Sequence, residues 1–163
     1  MKTLCITPCG QRKIWKKHPN LGPQKARDVY TGPYAGKCIK YACKYYPDSW
    51  CILSAKYGFL FPDDLVSGDY NVTFKKKQTK PLTINDLSIQ CKEKGLDKYE
   101  NIVVLGGKDY SDMIKEVFSG KELFMPLIGI KLGPSISKMK TSIESGIQLS
   151  GISSAAIVVN FAE

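Results

Sequence analysis

Asn101-Ile102-Val103-Val104-Leu105-Gly106-Gly107-Lys108-Asp109-Tyr110 joins an unbroken apolar run to a diglycine and then to a helical pattern that lasts to Phe118. All four residues from Ile102 to Leu105 are aliphatic, two of them β-branched valines beside a β-branched isoleucine. An apolar run without alternation is the mark of a strand covered on both faces, which is how the strands of a parallel sheet read. Working outward, the same pattern recurs at Thr3–Thr7 before Pro8, at Trp50–Leu53 before Ser54, and at Leu123–Met125 before Pro126.

Helical patterns fill the intervals. Pro33–Tyr45 follows the turn Tyr30-Thr31-Gly32-Pro33 and carries Ala35, Ile39 and Ala42 on one stripe. Thr83–Lys94 opens on Thr83-x-x-Asp86, a capping box with Asp in the Glu place, and stops at Gly95. Lys108–Phe118 stops near Gly120, and a shorter helix covers Ser135–Glu144. Alternating strands and helices predict an α/β fold, a three-layer sandwich around a mostly parallel sheet of four or five strands, doubly wound or uracil-glycosylase-like. Residues 1–145 read as a single domain. Residues 146–163 read as a C-terminal extension, either an added strand at Ile157-Val158-Val159 or a loose tail.

The composition is that of a globular chain of 163 residues, 43% hydrophobic and 24% charged. No run approaches the ~18 apolar residues of a membrane span, and the apolar start at Leu4-Cys5-Ile6 is too short for a signal peptide, so the expectation is a cytoplasmic protein away from membranes. Six cysteines contain no C-x-x-C pair, and the single histidine, His18, has no partner at ligand spacing. Neither a metal site nor a cofactor is expected. Cys5 and Cys51 on strands, with Cys38 and Cys43 on a helical pattern, read as small core hydrophobes. Lys and Arg exceed Asp and Glu by 24 to 15, for a net charge of +9, and Arg12 and Arg27 are the arginines. Such a lysine surface suits phosphate as a point-charge partner; a solvated solubility face is the plainer alternative.

In open parallel sheets ligands collect beyond the carboxyl ends of the strands. That rule singles out four loops. Pro8-Cys9-Gly10-Gln11-Arg12-Lys13 brings a thiol, a guanidinium and an ammonium to a tight turn that can hold an anion, and the two cations would favour a Cys9 thiolate. Ser54-Ala55-Lys56-Tyr57-Gly58 offers Lys56 to phosphate, Tyr57 as a stacking face and Gly58 as a turn. It leads to Asp63 and Asp64, then Asp69-Tyr70-Asn71, carboxylates beside aromatics that can orient a water or stabilise an oxocarbenium ion; Pro62-Asp63-Asp64 as a simple helix cap is the alternative. Gly106-Gly107 frees backbone N–H groups at a helix start, with Tyr110 one turn on. Pro126–Gly133 adds Lys131 to the basic surface. Lys75-Lys76-Lys77 with Lys80, flanked by Tyr70 and Phe74, interleaves cations and rings as a track for nucleic acid would.

Pro8-Cys9-Gly10-x-Arg12-Lys13, Asp28-Val29-Tyr30-Thr31-Gly32 and Ile52-Leu53-Ser54-Ala55-Lys56-Tyr57-Gly58-Phe59 with Pro62-Asp63 together resemble a widespread bacterial and archaeal domain family of unknown function. Val103–Gly107 and Pro126-Leu127-x-Gly129 extend the likeness to about residues 3–145. Leu53–Gly58 is also similar to a phrase of the YaaA peroxide-stress proteins, which are associated with DNA binding. The Pro8-Cys9-x-x-x-Lys13 spacing resembles the start of a motif in archaeosine synthase, which acts on a modified guanine of tRNA. Ile14-Trp15 stands where that motif continues with Pro-Tyr, so the likeness extends to base binding rather than to the transfer chemistry.

These readings converge on a nucleic-acid partner, DNA or tRNA, and on a base glycosylase or base-modifying enzyme. Asp63, Asp69 and Lys13 are the expected catalytic groups. Pro8, Cys9, Gly10, Arg12, Tyr30, Gly32, Ser54, Lys56, Tyr57, Gly58, Tyr70, Asn71, Gly106, Gly107 and Tyr110 are the expected binding groups, with the base between Tyr57 and the Pro8 loop. The alternatives are a non-catalytic DNA- or RNA-binding module and an enzyme of nucleotides or small metabolites.

Overall fold

The computed structural model describes residues 2–153. The chain runs β1 (Thr3–Pro8), β2 (Gln24–Lys25), α1 (Ala26–Val29), α2 (Pro33–Tyr45), β3 (Trp50–Ser54), β4 (Gly58–Leu60), β5 (Leu65–Val66), α3 (Ile84–Glu93), β6 (Asn101–Val104), α4 (Lys108–Val117), β7 (Glu122–Met125), α5 (Leu132–Ser145) and β8 (Ile152–Ser153). The main sheet has the order β4-β3-β1-β6-β7-β8. Its four inner strands are parallel, with Cys5 level with Trp50 on one side and Val103 on the other. These are the four strands the apolar runs predict. The short edge strands β4 and β8 are antiparallel to β3 and β7.

The continuous apolar runs are explained by two cores. Cys5, Ile52 and Val103 face α2 and α5 and pack with Cys38, Ala42 and Met139. Leu4, Ile6, Cys51 and Val104 face α3 and α4 and pack with Leu87, Cys91 and Ile114. All five residues of β3 are buried, because each face meets a helix layer. The sheet is therefore the middle of three layers, and each buried Leu or Ile contributes about 1.5–3 kcal/mol.

Local chemistry sets the element ends. Thr83 accepts the Asp86 N–H and Asp86 accepts the Thr83 N–H, the reciprocal capping box read from the sequence, worth about 1 kcal/mol. Helix α5 starts at Leu132, three residues before the expected Ser135, since Pro134 sits in the first turn where its missing N–H is no loss. Cys43 is exposed, against the expectation of a core position. It lies just beyond Ile39, at the edge of the stripe of Ala35, Cys38, Ile39, Tyr41 and Ala42 that α2 buries, on the side turned away from Tyr41.

Beyond α5 the chain stays docked: the Leu149 N–H donates to the Tyr41 hydroxyl (3.1 Å), and Gly151 lies so close to Pro126 that a side chain would not fit. The strand expected at Ile157-Val158-Val159 lies outside the described residues. Among the described residues no helix is long and apolar enough to cross a membrane.

Candidate nucleobase and phosphate site

Strands β1 and β6 are neighbours, yet the helices that follow them, α2 and α4, leave to opposite faces of the sheet. This is the point where the strand order reverses, and it opens a crevice beyond the carboxyl ends. A cavity of about 390 Å³ fills it, walled by Pro8, Cys9, Tyr34, Phe74, Gly107 and Tyr110. A second lobe of about 190 Å³ adjoins it across Cys9, Phe74 and Tyr110, and reaches Lys13, Tyr70 and Asn71.

The wall between the lobes is made by two side chains 101 residues apart: Cys9 Sγ and the Tyr110 hydroxyl lie 3.2 Å from each other. Burial and the neighbouring Cys9 hold the Tyr110 phenol far above its usual range, so it stays protonated and able to donate. Phe74 meets Tyr110 edge-on, with ring centroids 6.0 Å apart. Gly106 has φ 145°, and a Cβ there would come within 3.4 Å of Tyr110 and 3.8 Å of Pro8, closing the gap between the two loops. No side chain caps α4, whose first-turn N–H groups open at Gly107 on the cavity edge, next to Lys108.

Lys13 is buried, with its side chain 5% exposed. It donates to the carbonyls of Gln11 and Tyr70, both at 3.1 Å, and its Nζ lies 4.3 Å over the Tyr70 ring and 4.0 Å from the Asp69 carboxylate. Burial lowers the Lys13 pKa, and Asp69 opposes part of that shift. Lys13 thereby ties the loop after β1 to the segment Asp69–Asn71. Tyr70 is held from its other end as well. Its hydroxyl meets Ser54 Oγ at 2.8 Å and the Tyr30 hydroxyl at 2.5 Å. Ser54 Oγ accepts the N–H groups of Lys56 and Tyr57, both at 3.2 Å, so its own proton is directed to Tyr70. Burial pushes the Tyr70 phenol up to about 12 and Tyr30 further still.

The structure sorts the expected binding groups. Pro8, Cys9, Gly10, Asn71, Gly107 and Tyr110 line the lobes, joined by Lys13 and Tyr70. Ser54 and Tyr30 stand behind them, fully or almost fully buried, and position Tyr70 rather than facing a ligand. Tyr57 lines neither lobe; it packs edge-on against Tyr70 at 5.4 Å, with the exposed Lys56 over both rings. Arg12 is exposed and takes part through its carbonyl, which accepts the Thr31 N–H, while Gly32 is the N-cap of α2. Gly58, with φ 76°, leaves room for Gln90, which accepts the Phe59 N–H and donates to the Tyr57 carbonyl.

Asp63 is not brought to the crevice. Strand β4 reverses the chain along β3, so Phe61–Asp64 emerges at the amino ends of the parallel strands. There Asp63 pairs with Arg27 at 2.9 Å and Lys25 at 3.8 Å, beside Leu4, Trp50 and Tyr99. The pairing of β5 with β2 then starts the return that leaves Asp69 at the crevice rim, 61% exposed. Sequence reasoning passed over Tyr34 as a wall residue and named Phe74 only as a flank of the lysine run. The position of Tyr34 just past the Tyr30–Pro33 turn, at the start of α2, was the available signal. Among the described residues no group of His, Cys, Asp and Glu side chains is disposed to hold a metal ion.

The chain matches a family of unknown function (DUF6884) over residues 8–141. It is 41% identical over 151 residues to the uncharacterized protein YfjM of Bacillus subtilis (strain 168), a match that covers 91% of this chain and 100% of that relative. No solved structure matches it. The chain belongs to this family of unknown function.

Proposed function

We propose that this family member binds a single nucleobase of a DNA or tRNA strand in the crevice between β1 and β6 and acts on it, as a base glycosylase or base-modifying enzyme. The observation that carries the reading is the make-up of one cavity. Three rings (Tyr34, Phe74 and Tyr110) wall it, and Lys75, Lys108 and the uncapped start of α4 stand at its edge. Flat apolar walls suit a base, and the cations with the helix terminus suit its phosphate. The Cys9 thiol and Tyr110 hydroxyl supply polar contacts to a base edge. Asp69, fixed beside Lys13, is the group to orient a water toward the glycosidic carbon. The likeness of the Pro8–Lys13 loop to a base-binding motif points the same way.

A specific observation favours the non-catalytic reading as runner-up. The Lys13 donors are already engaged by Gln11, Tyr70 and Asp69, and Asp109 is the one carboxylate among the residues lining the two lobes. A binding module would use the same walls without a reacting group.

Binding of single- and double-stranded DNA and of tRNA across a salt series, with product masses read from the same samples, tests the proposal. Neutralisation by Lys75 and Lys108 gives a log–log salt slope of about −1.4 for a single strand. Released or altered base, lost in Asp69→Asn with binding retained, is the expected result. Salt-steep binding without products transfers the assignment to the binding module, and absence of binding to all three nucleic acids removes the proposal.

A further inference from the structure

The segment Phe74–Ile84 shapes another cavity, of about 380 Å³. Phe74 and Met113 belong to its wall and to the wall of the base cavity, so the two spaces lie side by side across one aromatic ring. Pro81, Leu82 and Ile84 give it an apolar lining, and the exposed Lys77 and Lys80 stand at its rim.

The loop that carries these lysines has a fixed shape. The Thr79 hydroxyl accepts the Thr73 N–H at 3.0 Å and lies within reach of the carbonyls of Thr73 (3.0 Å) and Lys76 (2.7 Å). The Lys80 N–H donates to the Lys77 carbonyl at 3.0 Å, and Lys80, with φ 60°, is the one non-glycine residue in the left-handed region among those described. A lysine held there is a local cost that a loop of free shape would shed. Among the described residues, no carboxylate pairs with Lys75, Lys76, Lys77 or Lys80.

Two neighbouring cavities of about 390 and 380 Å³ share the Phe74 ring. Each has unpaired cations of its own at the rim, Lys75 at the first and Lys77 with Lys80 at the second, so an apolar surface beside positive charge occurs twice in succession. A strand of nucleotides has that repeat: a flat apolar face and one negative charge per unit. An acidic peptide supplies the charge without the flat faces, and two separate cavities on either side of one ring suit successive unpaired bases. We infer that the substrate is engaged as a single strand, and that the nucleotide adjacent to the bound base occupies this second cavity with its phosphate on Lys77 and Lys80. The inference rests on the reading of the first cavity as a base site.

Titration of the protein with nucleoside monophosphates, dinucleotides and trinucleotides, in deoxy and ribo forms, separates the two. Addition of the second nucleotide is expected to tighten binding about tenfold, the gain of one stacked and charge-paired base. The double variant Lys77→Ala/Lys80→Ala keeps the mononucleotide affinity and loses most of that gain, whereas Phe74→Ala weakens both. The deoxy and ribo series report which strand is preferred. Mononucleotide binding with no gain on lengthening, or a gain that survives in the double variant, overturns the second subsite and leaves the base site standing. No binding of any probe overturns both.

Discussion

The two ends of the parallel sheet each carry a hollow with charged groups, and they are built differently. At the amino ends, about 230 Å³ lies between Trp50, Phe61 and Tyr99, with Asp63 66% exposed in its pairs with Arg27 and Lys25. At the carboxyl ends, a lysine is 5% exposed, bound to two carbonyls, and set against a chain of hydroxyls from Ser54 through Tyr70 to Tyr30. Exposed ion pairs contribute little, since water screens them and long side chains lose entropy in forming them. A buried ammonium imposes an order on everything around it, because each of its donors must be met. Only the carboxyl end has been given that order, and it is where the strand order reverses and α4 opens its N–H groups.

The largest test of this contrast is Lys13→Met against Arg27→Met. The first strips the part-buried carbonyls of Gln11 and Tyr70 of their charged donor, and is expected to cost about 3 kcal/mol in urea unfolding. The second is expected to cost under about 1 kcal/mol. Equal costs would mean that the two ends are held by interactions of the same kind.

An intermediate effect is expected in alkaline solution. The phenols of Tyr30, Tyr70 and Tyr110 have folded pKa values raised above the ordinary 10.0, chiefly by burial. Above pH 10 the unfolded chain releases these protons while the folded chain keeps them, so stability falls as pH rises from there toward the folded values. Lys13 has the opposite sign: its pKa is lowered from 10.5, and stability gains as pH rises from the folded value to 10.5. Thermal unfolding across this range should thus fall less steeply in Tyr30→Phe than in the parent, and more steeply in Lys13→Met. A parent-like profile in Tyr30→Phe would show that the hydroxyl chain is not closed to water.

The smallest effect is expected at Asp63→Asn, with stability changed by less than about 1 kcal/mol and nucleotide binding unchanged. Loss of activity in that variant would break the contrast, by giving the amino end a part in the chemistry.

Much of the fold was legible because burial on both faces leaves a local mark. Ile102–Leu105 and Trp50–Leu53 cannot be half-exposed strands, and Thr83-x-x-Asp86 states its own cap. The two-residue and three-residue strands carried no such mark, since too few side chains alternate in them to be read. The consequence was not small: β4 turns the chain back along β3, and with it Asp63 leaves the end of the sheet to which its sequence neighbours Lys56 and Tyr57 belong.

By itself the sequence determined a lysine-rich α/β chain, the positions of its four inner strands, and the loops that follow them, because periodicity, capping and charge are properties of adjacent residues. Tertiary structure alone decided that Lys13 would be buried under Tyr70, that Cys9 would meet Tyr110, and that Phe74 would wall two cavities. Those meetings depend on strand order and on the helices' choice of face. Both are set by how the whole chain excludes water, which no local stretch records.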